Sequence, residues 1–161
     1  MRGFTLVEVL VVVMIFSLMV AGIFGVLNLG NVTFPVDLGK MEVHQQARLL
    51  MHWLTRDLRQ ATNLQIIPLT VNSDKKILFR NSKGLEIIYY LDLEDSNNDG
   101  LTNQIVREYP AGTVRVIANN ISRFKFRRTG NLLRIEISVD KTVRNKSLSF
   151  ELTEQVYLRN E

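Results

Sequence analysis

Hydrophobic residues fill the start of the chain almost without interruption. Over residues 4–29 the one charged side chain is Glu8, and nearly all other charges follow Asp37. A helix over those residues would be roughly 39 Å long at ~1.5 Å per residue, against a hydrocarbon core of about 30 Å. The pattern therefore predicts a membrane-spanning helix over 4–29. Gly30, Asn31, Thr33 and Pro35 then follow closely, and Pro35 biases Phe34 away from helical backbone angles, so a helix break is expected over 30–36. A second helix is expected over 37–62. There Val43, Ala47, Leu50, Leu54, Leu58 and Ala61 recur at spacings of three and four and form one apolar stripe. His44, Arg48, His52, Arg56 and Arg59 occupy the other face, which either is solvated or meets a neighbour. Leu49 and Trp53 lie beside the stripe, where they either widen the buried face or form a subunit contact.

Beyond residue 63 the period shortens to two. Leu85, Ile87, Tyr89, Leu91 and Leu93 share one face, as do Leu133, Ile135, Ile137 and Val139, and as do Leu148, Phe150, Leu152 and Val156. Turn residues separate these runs: Asn81 to Gly84, Asn97 to Gly100, Thr129 to Asn131, and Arg144 with Asn145. One-sided burial of an antiparallel sheet over 63–161 accounts for the pattern. The expected fold class is α+β, with one long N-terminal helix packed on a C-terminal antiparallel sheet in a domain spanning 37–161.

The apolar head admits three readings. A secretory signal peptide needs a shorter apolar stretch and a small-x-small cleavage site, and Met19, Val20 and Ala21 supply a poor one. An ordinary membrane anchor explains the length but not Glu8, because an acid inside hydrocarbon costs about 2.5–3.5 kcal/mol or more, unless it snorkels at the membrane edge. The third reading starts from Phe4 and Glu8, which are four apart and share a helix face. A cut before Phe4 would create a cationic amine at the helix start, where an acid is also favoured by the helix dipole.

The residues Gly3-Phe4-Thr5-Leu6-Val7-Glu8, followed by an apolar helix, resemble the class III signal of type IV pilins and type II secretion pseudopilins. The resemblance implies a three-residue leader, 1–3, removed by a prepilin peptidase between Gly3 and Phe4. It also implies N-methylation of Phe4 and later extraction of the helix from the membrane into a filament. Carried over by position, Glu8 is the acid that meets a neighbouring subunit's N-terminus. The implied partners are other pilins or pseudopilins, the prepilin peptidase and an inner-membrane assembly platform. Leu54 to Ala61 and Glu154 to Asn160 look like the minor subunits known as GspJ in type II secretion and PilW in type IV pili. The chain lacks cysteine, unlike the many pilins that close a C-terminal loop with a disulfide, and this favours a minor over a major subunit.

Arg2 precedes the span, and the positive-inside tendency holds it in the cytoplasm. The chain is thus expected to sit in the inner membrane as a single-pass protein whose C-terminal domain is extracytoplasmic. The formal charge of +4 is too weak to argue for nucleic acid. Arg123, Lys125 and Arg127 alternate with Phe124 and Phe126 as a basic strand face, solvated by default, with an acidic filament neighbour as the second reading and DNA as a remote third. Asp95-x-Asn97-x-Asp99-Gly100 copies the first half of an EF-hand loop, but Val106 holds the twelfth position and Glu108 comes two residues late, which excludes a standard EF-hand. Calcium held by Asp95, Asn97, Asp99 and a backbone carbonyl, and a plain Asx-rich hairpin tip, are the two readings of that loop. His44 and His52 lack a third ligand at zinc spacing. With no Ser-His-Asp, paired-acid or Gly-rich phosphate signature, the chain is expected not to be an enzyme. A single-span anchored binding or sensor domain that keeps residues 1–3 is the rival to the filament reading.

Overall fold

A computed structural model describes residues 5–69, 74–94 and 100–158, the side chain of Lys75 apart. Helix α1, Leu6–Leu58, leads into eight strands. These are β1 (Thr62–Pro68), β2 (Asp74–Arg80), β3 (Glu86–Asp92), β4 (Gln104–Glu108), β5 (Val114–Ala118), β6 (Ile121–Thr129), β7 (Leu132–Val143) and β8 (Lys146–Tyr157). The fold is α+β and pilin-like, a long N-terminal helix packed against antiparallel sheets. The chain divides into two units, Met1–Leu38 and Gly39–Glu161.

In the first unit the described residues are helical from Leu6 onward, and the large apolar side chains from Leu6 to Phe34, apart from the partly covered Val20, are exposed in the single chain. By length and composition this stretch is able to cross a membrane. Its few hydroxyls satisfy themselves on the helix: Ser17 donates to the carbonyl of Val13 at 2.7 Å and Thr33 to that of Leu29 at 2.9 Å. The break expected over 30–36 is absent, since α1 runs through with Pro35 inside it. Proline removes one backbone donor, and that local loss is offset where bonded turns continue on both sides.

The second unit holds the core. Val43, Ala47, Leu50, Leu54, Leu58 and Ala61 are all buried, as the stripe requires. The helix ends at Leu58 rather than near 62, and Ala61 donates its N–H back to Leu58 before β1 begins at Thr62. The strands form two sheets rather than one: a five-stranded sheet in the order β1-β2-β3-β4-β5 and a three-stranded sheet β6-β7-β8. Every pairing is antiparallel between consecutive strands. Asn119 and Asn120 separate the sheets, and the left-handed Asn120 (φ 59°) breaks the extended run that would otherwise join β5 to β6. The two-residue turn Arg144-Asn145 has φ of 49° and 63°, the double positive φ of a type I′ hairpin, and it sets the β7–β8 register Val143↔Lys146.

Leu133, Ile135, Ile137 and Val139 are buried in β7, and Ile87, Tyr89 and Leu91 in β3. Leu85 and Leu93 fall outside β3 and are about half exposed (48% and 47%), so the buried run is shorter than period two alone implies. The helix meets both sheets in turn. Gly39 lies so close to the β7–β8 hairpin that a Cβ there would come within 2.8 Å of Leu148 Cδ1 and of Val143 Cγ2. Glu42 accepts from Lys141, and the His44 ring stacks on Phe150 with centroids 4.0 Å apart. Further along, Gln46 accepts from the N–H of Asn119, and the residues around Asp57 face the five-stranded sheet. Asp74, almost wholly buried, joins the sheets. Its carboxylate accepts from Lys125 Nζ at 3.0 Å and from the N–H of Phe126 at 2.7 Å.

Candidate functional site

Two places carry chemistry. The first is the start of α1. Thr5 and Glu8 close a reciprocal cap in which the Glu8 N–H donates to Thr5 Oγ1 at 3.3 Å and the Thr5 N–H donates to Glu8 Oε2 at 3.4 Å. This is the Thr-x-x-Glu capping box, legible in the sequence but overlooked there. It satisfies two helix-end donors and holds an exposed carboxylate beside the first turn, where the dipole favours it. Gly3 and Phe4, the residues of the expected cleavage, lie outside the described residues.

The second is a polar cluster where the end of α1 meets the five-stranded sheet. The register Tyr89↔Arg107↔Arg115 puts these three side chains in one row across β3, β4 and β5. Asp57 reaches into that row from the helix. Its Oδ2 accepts from Tyr89 OH at 2.8 Å and from Arg107 Nε at 2.8 Å, while Oδ1 accepts from Arg56 Nη2 at 3.1 Å. Asp57 and Arg107 are each only 9% exposed and Tyr89 is fully buried. Burial, then the charge and hydrogen bond of Asp57, hold the Tyr89 phenol far above its usual pKa. Burial works against the Arg107 charge, but the hydrogen bond to Asp57 and the interactions with Tyr89 more than offset it and raise its pKa.

Trp53 covers this cluster. The guanidinium of Arg56 lies 4.1 Å from its ring centroid, and those of Arg107 and Arg115 each lie 5.4 Å away. Arg107 also lies 4.8 Å from the Tyr109 ring. A groove of about 220 Å³ opens beside it, lined by Arg56, Asp57, Gln60, Asn81, Arg107 and Tyr109 among others. Sequence reasoning placed Trp53 beside the apolar stripe and Arg56 on the outer face but missed the cluster. Its members lie on a helix and three strands, with Asp57 and Arg107 fifty residues apart and Arg115 further still, and an arginine following Ile105 and Val106 in a strand was the available signal.

The remaining candidates resolve differently. Asp95, Asn97 and Asp99 lie outside the described residues, and among the described residues no group of three or more His, Asp or Glu could hold a metal. The basic strand face is paired within the chain: Lys125 with Asp74, Arg123 with Glu151 at 3.4 Å, and Arg127 with Glu136 at 3.8 Å. His44, Arg48 and His52 border an open groove of about 710 Å³ that also includes Met41 and Leu49.

A family model described as the prokaryotic N-terminal methylation motif matches residues 1–24. No curated protein and no solved structure matches the chain.

Proposed function

We propose that this chain is the precursor of a filament subunit, a minor pilin or pseudopilin of the GspJ/PilW-like group in a type II secretion pseudopilus or a type IV pilus. A prepilin peptidase cuts between Gly3 and Phe4, the new amine of Phe4 is N-methylated, and the assembly platform draws the helix out of the inner membrane into the filament. The extracytoplasmic domain then helps to initiate or cap that filament. One observation carries the reading: an N-terminal methylation motif over 1–24 heads an apolar helix that continues into an antiparallel-sheet domain.

The work is positioning. Once residues 1–3 are gone, Phe4 bears an ammonium whose charge survives methylation, and a neighbouring subunit's Glu8 is its counter-ion. In a water-poor filament core an unpaired carboxylate costs several kcal/mol, so a subunit out of register is rejected and the paired register is kept. In the single chain Glu8 is occupied with Thr5, a weak exposed contact at 3.4 Å that assembly replaces with a full charge pair.

The test separates the two roles of Glu8. Glutamine at the third helical position still closes a capping box, but it carries no charge. Glu8→Gln is expected to insert and cap normally yet fail to enter filaments, and Glu8→Val is expected to insert and fail in the same way. Normal incorporation of Glu8→Gln in a pull-down of assembled filaments contradicts the pairing.

A further inference from the structure

We propose that the surface centred on Trp53 is a docking site for an acidic segment of another protein. Three guanidiniums, those of Arg56, Arg107 and Arg115, lie within 5.4 Å of one indole ring centroid. Asp57 is the carboxylate of two of them, and both its oxygens are taken: Oδ1 by Arg56, Oδ2 by Arg107 and Tyr89. Three positive charges against one negative leave a local excess of positive charge.

The placement of Arg115 sharpens the point. It stands directly opposite Arg107 on the neighbouring antiparallel strand, a like-charge pairing that destabilises a sheet. Arg107 is buried and neutralised by Asp57, so the exposed Arg115 is the fork left to an outside carboxylate, and guanidiniums bind carboxylates in a planar, two-pronged geometry. Arg115 is exposed, the side chain of Arg56 is 50% exposed and Trp53 is half-buried, so a partner reaches all three. The groove beside them seats a side chain next to Arg56, Arg107 and Tyr109. Tryptophan and arginine are also the residue types on which binding energy concentrates at protein interfaces.

The partner is taken to be a different protein; a second copy would have to offer the acidic run from Asp92 to Asp99, and self-association of the chain alone that shifts the Trp53 emission would overturn this choice. The chain is itself basic, at +4, and several of its acids are engaged at home: Glu42 with Lys141, Asp74 with Lys125, Glu136 with Arg134 and Glu151 with Arg123. That the acidic segment belongs to a neighbouring filament subunit rests on the function proposed above. The site itself does not, and the following test reads the site alone.

Trp53 is the sole tryptophan, so its fluorescence reports this surface directly. The full chain in neutral detergent micelles is titrated with a blocked glutamate-rich peptide free of aromatic residues. The comparison ligands are the matching glutamine peptide, inorganic phosphate, and phosphatidylglycerol added to the micelles. The glutamate peptide is expected to shift the Trp53 emission saturably. Binding should weaken about tenfold in Arg115→Ala and in Arg56→Gln, and stay unchanged in Lys146→Gln, an exposed residue of the β7–β8 hairpin in the other sheet, which packs at Gly39 and not at Trp53. Equal binding of the glutamine peptide, or undiminished binding to Arg115→Ala, overturns the proposal. A response to phosphate or phosphatidylglycerol that matches or exceeds that to the glutamate peptide overturns it as well, by assigning the site to a small anion or to lipid.

Discussion

Asp57 shows how one side chain fixes the end of a helix against a sheet. It accepts from Tyr89, Arg107 and Arg56, and losing it would leave Arg107 as a nearly buried cation without its carboxylate, a change that costs about 3–5 kcal/mol in comparable sites. Tyr89 makes the arrangement sensitive to pH. Its folded pKa is raised above the ordinary value of 10.0, so its contribution to stability is fully present below that pH and is lost as pH rises beyond it. Tyr89→Phe is expected to cost about 1–3 kcal/mol at neutral pH, because Asp57 loses a buried donor. It is also expected to flatten the fall in stability above pH 10.0. Denaturant midpoints measured on both sides of that pH check this, and an unchanged alkaline slope in the variant would count against the buried phenol. Little of this was legible beforehand. Tyr89 reads as one more apolar position at period two, and nothing local ties it to a helix residue 32 positions earlier.

At the scale of elements, periodicity carried the reading well where packing and local preference agree. The stripe from Val43 to Ala61 and the buried alternation of β7 are as the pattern requires, and the chain turns at Arg144-Asn145, where asparagine tolerates positive φ and the two-residue hairpin holds arginine there as well. It failed where tertiary context overrides local preference. Pro35 and its neighbours promise a break, yet the helix persists through them. One sheet was expected, but a pair of asparagines divides the strands into two. Gly39 shows a different kind of constraint, because it is the contact point of α1 with the β7–β8 hairpin rather than a helix breaker. Gly39→Val is expected to destabilise the domain by about 1–3 kcal/mol through overpacking against stiff Val143. A thermal melt equal to wild type would show that the hairpin yields freely.

For the whole molecule, the first unit is an exposed apolar helix and the second carries the packed core. A long run of exposed leucine, valine and phenylalanine is stable only where lipid or other helices cover it. Under the proposed function, membrane residence followed by filament assembly would supply both covers in sequence. The central claim is that processing exposes the ammonium that gives Glu8 its partner, and the mature N-terminus tests it most directly. Intact-mass measurement with N-terminal sequencing of protein from the native membrane is expected to find a chain that starts at a methylated Phe4. A mature chain that still begins at Met1 would contradict the claim and favour a permanently anchored domain.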